Sequence, residues 1–171
     1  MTRKLLLTGR PSCGKTTLIK RVVNKLSLSA GGFYTEEIRD RSGRVGFKLV
    51  TLEGEEAVFA HVDFKTPERL GKYGLDLSLL ETKAVAALRA AAGARQLVVI
   101  DEIGPMEIRS LVFCDVVNDA LDSDAPILAT ITARSLPFAD AIKKRHDVTI
   151  IEVRPNNREQ LALELAGKFK P

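Results

Sequence analysis

Apolar and polar positions follow two patterns along this chain. Short apolar runs that read as strands alternate with stretches whose apolar residues recur at helical spacing. "KLLLTG" (4–9) is the first buried strand, and from Lys15 to Leu26 the positions Leu18, Ile19, Val22, Val23 and Leu26 share one helical face. Strand then helix, repeated, predicts an α/β fold with a mostly parallel sheet flanked by helices.

Residues 32–62 break that rhythm. "GFYTEEIR", "RVGFKLVTL" and "EAVFAHV" read as strands, parted by the turn sequences "DRSG" and "EGEE". They predict an antiparallel β-meander inserted after the first helix. "FKTPERLGKYGLD" (64–76) holds Pro, two Gly and five charges, and is expected as a surface loop. Ser78 followed three residues later by Glu81 is a capping-box pattern. It predicts a helix through Leu79, Leu80, Ala84, Val85 and Leu88 that ends near Gly93. "QLVVID" (96–101) is a continuous apolar strand ending in an acid. A helix from about Pro105 to Leu121, the strand "PILATIT" (126–132), a helix at 137–145, the strand "VTIIEV" (148–153) and a last helix from about Asn157 complete the chain. No repeat or linker intervenes, so residues 1–171 read as one domain.

Composition narrows the function classes. Cys13 and Cys114 are the two cysteines, too few for a disulfide framework in a chain of 171 residues. His61 and His146 stand far apart without neighbouring ligands, which argues against a structural zinc site. The net charge of +4 is spread along the chain. It suits an anionic ligand and gives no support for a nucleic-acid partner. No apolar run approaches the roughly 18–20 residues of a membrane span. The expected location is cytoplasmic, without a membrane partner. With no apolar stripe left over after the core, a monomer is expected.

Gly9, Arg10, Pro11, Ser12, Cys13, Gly14, Lys15 and Thr16 match the pattern G-x-x-x-x-G-K-[ST]. The glycines let the backbone curl so that successive N–H groups point inward. The following helix adds its positive end. Lys15 can reach β- and γ-phosphate oxygens, and the Thr16 hydroxyl can coordinate Mg²⁺. Thr17 reads either as a second contact near the α-phosphate or as an ordinary first-turn residue. Cys13 reads as a small loop filler.

A second element says whether the phosphate is held or cleaved. "LVVIDEIG" (97–104) ends an apolar strand with Asp101 and Glu102. An Asp at such a strand end supports Mg²⁺ directly or through water. The adjacent Glu can orient a water, or take its proton, opposite the γ-phosphate. Charge on the transferring group also calls for further cations. Arg134 and Arg158 are candidates, as are Arg39, Arg41 and Arg44 in the meander. Thr130 or Thr132 can sense the γ-phosphate, and Tyr73 can stack on a nucleobase. Each also has a plain structural reading as a surface or strand residue. No feature fixes a hydrogen-bonding pattern for one base.

Larger segments carry a family likeness: "GRPSCGKTTL", "GGFYTEEIR" with "GRVGFKLVTL", "LGKYGLDLSLLE", "VVIDEIGPMEIRS" with Phe113, and "NNREQL". In these the chain resembles the THEP-type nucleoside-triphosphatases, small P-loop enzymes of thermophilic microbes and animals, through nearly its whole length. The resemblance implies a RecA-like sheet in which another strand separates the Asp101 strand from the P-loop strand. It implies Mg²⁺-dependent, slow hydrolysis of ATP, GTP and other NTPs. Carried over by position, the nucleotide segments are Gly9–Thr16 and Leu97, Val98, Val99, Ile100, Asp101, Glu102, Ile103 and Gly104. Glu102 is then the catalytic carboxylate, acting with Lys15. The loop departs from the family, reading R-P-S-C where P-P-G-V is usual, which bears on its flexibility and affinity. Two alternatives stay open. One is a nucleotide or polynucleotide kinase, for which "KKRHD" (143–147) is the only basic cluster near a helix end. The other is a non-catalytic nucleotide-dependent module.

Overall fold

The computed structural model describes residues 3–169. Its strands are β1 (Lys4–Thr8), β2 (Ala30–Asp40), β3 (Gly43–Thr51), β4 (Glu56–His61), β5 (Arg69–Leu70), β6 (Tyr73–Leu75), β7 (Leu97–Ile103), β8 (Ile127–Ile131) and β9 (Thr149–Glu152). They form one sheet in the order β5-β6-β4-β3-β2-β7-β8-β1-β9. The half from β2 through β7, β8 and β1 to β9 is parallel. The half from β2 to β5 is antiparallel. β8 lies between β7 and β1, the separation that the family likeness implied.

Helices α1 (Lys15–Lys25) and α6 (Arg158–Lys168) cover one face. The other face carries α2 (Leu77–Leu80), α3 (Ala86–Gly93), α4 (Leu111–Asp122) and α5 (Pro137–Lys143). The alternation of β1 decides which core each leucine enters: Leu6 packs on the α3–α4 side, while Leu5 and Leu7 pack beneath α1 and α6.

Local expectations are refined. The expected antiparallel meander follows α1, and it is continuous with the main sheet. β2 starts at Ala30, pairs in parallel with β7 over Ala30–Phe33, then continues into the antiparallel ribbon. The 64–76 segment is not all surface loop, because β5 and β6 extend the ribbon, and β6 pairs with β4. The helix after it is capped two residues earlier than Ser78. Asp76 is its cap, accepting from the Leu79 N–H at 2.9 Å. Glu81 instead accepts from the Ser110 hydroxyl at 2.6 Å. A π-helical turn, Glu81–Val85, joins α2 to α3. Ser110 itself caps α4 by accepting from the Phe113 N–H, so the expected helix from Pro105 is a 3₁₀ turn at Glu107–Arg109 followed by α4.

No described helix is long and apolar enough to cross a membrane. The basic cluster at 143–147 lies at the sheet end opposite the phosphate loop, beside Lys4 at the start of β1. Asp147 accepts from Lys4 Nζ at 2.8 Å and from Arg145 Nε at 2.9 Å and Nη2 at 2.8 Å. These partners, Arg145 first, hold the Asp147 carboxyl well below the usual carboxylate range. Its stabilisation is therefore full above the unfolded value of about 4 and is lost as pH falls through the depressed folded value. Asp147→Asn would leave the buried Lys4 poorly compensated. It is expected to cost about 2 kcal/mol at pH 7, below the loss at a fully buried pair because Asp147 is partly solvated. Urea melts at pH 7 and pH 3 check this: the gap should be present at the first and shrunken at the second, and equal midpoints at pH 7 would contradict it.

Candidate active site

The loop between β1 and α1 curls through left-handed backbone at Ser12 (φ 60) and Gly14 (φ 94). Gly14 has a second reason to be glycine. A Cβ there would stand 2.5 Å from Arg158 Nη1 and 2.8 Å from its Cδ, so the absent side chain lets Arg158 lie directly on the loop. No side chain caps α1, whose first-turn N–H groups are thus left for an anion at the positive helix end. Lys15 Nζ donates to the Gly9 and Arg10 carbonyls, both at 3.1 Å, and lies 3.9 Å from Cys13 Sγ. Cys13 is buried as a filler beneath the loop. Arg10 is exposed and does not line the site; Thr17 does.

β7 delivers the acids. Leu97, Val98, Val99 and Ile100 are fully buried, and so is Ile103; they carry the carboxylates without facing the site. The β7–β8 register shifts between Ile100 and Ile103, and the Asp101–Glu102 peptide bond is cis. Asp101 is 2% exposed, and both its carboxylate oxygens are engaged. Thr16 Oγ1 donates to Oδ2 at 2.6 Å, and Thr130 Oγ1 donates to Oδ1 at 2.6 Å. Burial pushes the Asp101 carboxyl up, opposed by the two threonine hydroxyls and by Lys15. Burial also pushes Glu102 up, and the charge of Asp101 adds to it against the pull of Lys15. Gly104 makes room for Glu102: a Cβ there would sit 2.2 Å from Glu102 Oε1.

Lys15, Thr16, Asp101 and Glu102 line one cavity of about 560 Å³. Glu107 shares it, is 6% exposed, and is pushed well above the ordinary carboxylate range by burial and by the charge of Glu102. Sequence reasoning missed Glu107, because a glutamate between Met106 and Ile108 looks like the solvent side of a helix. It also missed Phe47, Phe59 and Leu70, which reach the same cavity from the antiparallel ribbon.

The remaining candidates fall apart in space. Arg134 is exposed, and Thr132 Oγ1 accepts from its backbone N–H. Arg39 and Arg44 pair with Glu37, and Arg41 is exposed. Tyr73 corrects the picture of an exposed loop tyrosine facing a base. It is 7% exposed within β6, edge-on to Phe47 at 5.5 Å, and its hydroxyl accepts from Arg44 Nε at 3.0 Å. Arg158 alone among the arginines named from sequence touches the phosphate loop, and its buried Nε has no hydrogen-bond partner.

The model of a protein family described as NTPase matches residues 4–166, which takes in β1, the loop, both acids and most of α6. The chain belongs to this NTPase family. Relatives named nucleoside-triphosphatase THEP1 align over nearly full length. The one from Thermotoga maritima is 46% identical over 98% of this chain and 95% of its own. The one from Natranaerobius thermophilus is 44% identical over 97% and 96%. Two solved NTPase-family folds superpose on the chain, each 34% identical. The crystal structure of THEP1 from Aquifex aeolicus has a TM-score of 0.89 and covers 98% of this chain and 99% of that one. The solution structure of a human cancer-related nucleoside triphosphatase has a TM-score of 0.83 and covers 99% and 98%.

Proposed function

We propose that the chain is a Mg²⁺-dependent nucleoside-triphosphatase that cleaves ATP, GTP and other NTPs to NDP and phosphate with low base selectivity. The observation that carries this is the 2.6 Å contact between the Thr16 hydroxyl and the Asp101 carboxylate, with Lys15 and Glu102 on the same cavity wall. The printed names of the relatives support it.

Thr16 and Asp101 are hard oxygen donors within bonding reach of one cation, the chemistry that Mg²⁺ prefers when phosphates and waters complete its shell. Bound there, Mg²⁺ would neutralise charge on the β- and γ-phosphate oxygens. Thr130 fixes the Asp101 carboxylate from its other oxygen. The loop N–H groups and Lys15 orient the triphosphate. Glu102 takes a proton from water as the water oxygen bonds to the γ-phosphorus. The bond from that phosphorus to the bridging oxygen breaks, and its electron pair leaves on NDP. A carboxyl raised by burial and by its acidic neighbour is a stronger proton acceptor than an ordinary glutamate. A site built on phosphate and metal groups has little with which to tell one base from another. We take the working enzyme to be a cytoplasmic monomer.

Phosphate release from ATP, GTP, CTP and UTP, with Mg²⁺ and with EDTA, tests this. Rates within about tenfold of one another are expected, since base contacts worth less than about 1.4 kcal/mol separate them. Chelation should abolish release. Hydrolysis of one NTP alone, or none, would count against it.

Arg158, at the start of α6, lies against Gly14 of the loop and is not among the residues that line the cavity with Asp101 and Glu102, and we infer that it serves binding rather than the γ-phosphate chemistry. Arg158→Ala is expected to raise KM about tenfold, the loss of one charge-assisted contact, with kcat nearly unchanged. A fall in kcat at constant KM would instead place the guanidinium on the transferring group.

A further inference from the structure

The cavity does not end at Asp101 and Glu102. Beyond Asp101 on β7 it continues past Thr35 of β2 to Phe47 of β3, Phe59 of β4 and Leu70 of β5, with Met106 on the facing turn. Strands lie about 4.8 Å apart, so Phe47 stands roughly 10 Å and Phe59 roughly 14 Å past the strand that carries the acids. The loop grips phosphate on the near side of those acids. The far part carries the apolar side chains of Phe47, Phe59, Leu70 and Met106 beside the ion-paired Glu36 and Glu37, and Tyr73 braces the Phe47 ring edge-on. Its charge is also particular. Among the described residues that line the cavity, Lys15 is the only cation, and it belongs to the phosphate loop. Glu36 and Glu37 are tied to Lys20, Lys48, Arg39 and Arg44, and Asp101 is held by two threonine hydroxyls, which leaves Glu102 and Glu107 as the lining acids with neither an ion pair nor a hydroxyl donor. An acceptor bearing a phosphate would find no lining cation there, because Arg44 over the Phe47 ring and the nearby Lys20 and Lys48 are paired with Glu37 and Glu36. A neutral molecule with an apolar ring and a hydroxyl would find a floor for the ring and a carboxylate, Glu102, to receive the hydroxyl hydrogen bond.

We propose that the far half of the cavity binds a neutral, ring-bearing alcohol, which takes the γ-phosphoryl group in place of water. The alcohol oxygen bonds to the γ-phosphorus, the bond to the bridging oxygen breaks, and the electron pair leaves on NDP. The hydroxyl proton passes to Glu102 and then to solvent. The products are a phosphate monoester and NDP. This rests on the hydrolytic reading of the same site, with water and alcohol competing for one phosphoryl group.

The test follows NDP, inorganic phosphate and new monoester together, by ³¹P NMR, with Mg²⁺–ATP and equal concentrations of adenosine, thymidine, 2-phenylethanol, glycerol or 5′-AMP. At least one ring-bearing neutral alcohol should yield monoester, with an ester-to-phosphate ratio about tenfold or more above glycerol, the worth of burying part of a ring. 5′-AMP should do no better than glycerol. Leu70→Glu should cut the ratio at least about tenfold, the cost of a charge on an apolar wall. Met106→Gln, a milder change, should lower it in the same direction if the first variant fails to fold. NDP formation matched by inorganic phosphate alone with every alcohol would overturn the acceptor proposal and leave the hydrolase standing. So would a ring-blind ratio, a preference for 5′-AMP, or a ratio that neither variant moves. No NDP at all would remove the hydrolytic reading and this one with it.

Discussion

Glu102→Gln is expected to lower NTP turnover about 10³-fold while leaving nucleotide affinity within a few-fold of the parent. The amide keeps the shape and the place against Gly104, where a Cβ would come within 2.2 Å of Glu102 Oε1. What it loses is the ability to accept a proton, and a positioned general base is worth about 10²–10⁴ in rate. Asp101 keeps its two threonine donors, so the proposed metal position is undisturbed. Single-turnover phosphate release together with titration of a fluorescent NTP analogue separates the two effects. Near-parental turnover would make Glu102 a bystander and move the proton to another acceptor, with Glu107 next in the same cavity.

Lys15→Ala should weaken NTP binding and slow phosphate release together, a loss of about 10²-fold or more in kcat/KM. The Lys15 ammonium is the only cation lining the cavity among the described residues, so no other side chain on its wall takes over that charge. It also bridges the Gly9 and Arg10 carbonyls, so its removal loosens the loop that presents the N–H groups. One preorganised charged donor to a transferring group is worth roughly 3–4 kcal/mol. Isothermal titration with Mg²⁺–NTP and steady-state kinetics check it. Unchanged affinity would mean that the anion does not sit at the start of α1.

The local parts of this site could be read from the sequence because their chemistry and their chain order coincide. Gly9, Gly14, Lys15 and Thr16 are consecutive enough that one turn between a strand and a helix places them all. Asp101 and Glu102 announce themselves as charges ending an otherwise apolar strand. The unread parts depend on pairings between distant segments. Tyr73 stands among Pro, Gly and charged residues, yet β6 finds a partner in β4 and buries the ring. Phe47, Phe59 and Leu70 become cavity residues only because the ribbon runs on from β2, and nothing near them in sequence says so. The cap moved from Ser78 to Asp76 because Asp76 reaches the Leu79 N–H, which frees Glu81 to take the Ser110 hydroxyl across to α4. Of the arginines, only position in space could choose: Arg158 lies on Gly14, whereas Arg39 and Arg44 are held by Glu37.

The most direct measurement is a crystal structure of the protein with Mg²⁺ and a non-hydrolysable ATP analogue. One metal ion should be bound by the Thr16 hydroxyl and by Asp101, directly or through a single water, with the triphosphate wrapped by Gly9–Thr16. Glu102 should stand within about 3 Å of a water opposite the γ-phosphorus. A triphosphate seated away from that loop, or a Glu102 carboxylate turned from the γ-phosphate, would contradict the proposed site.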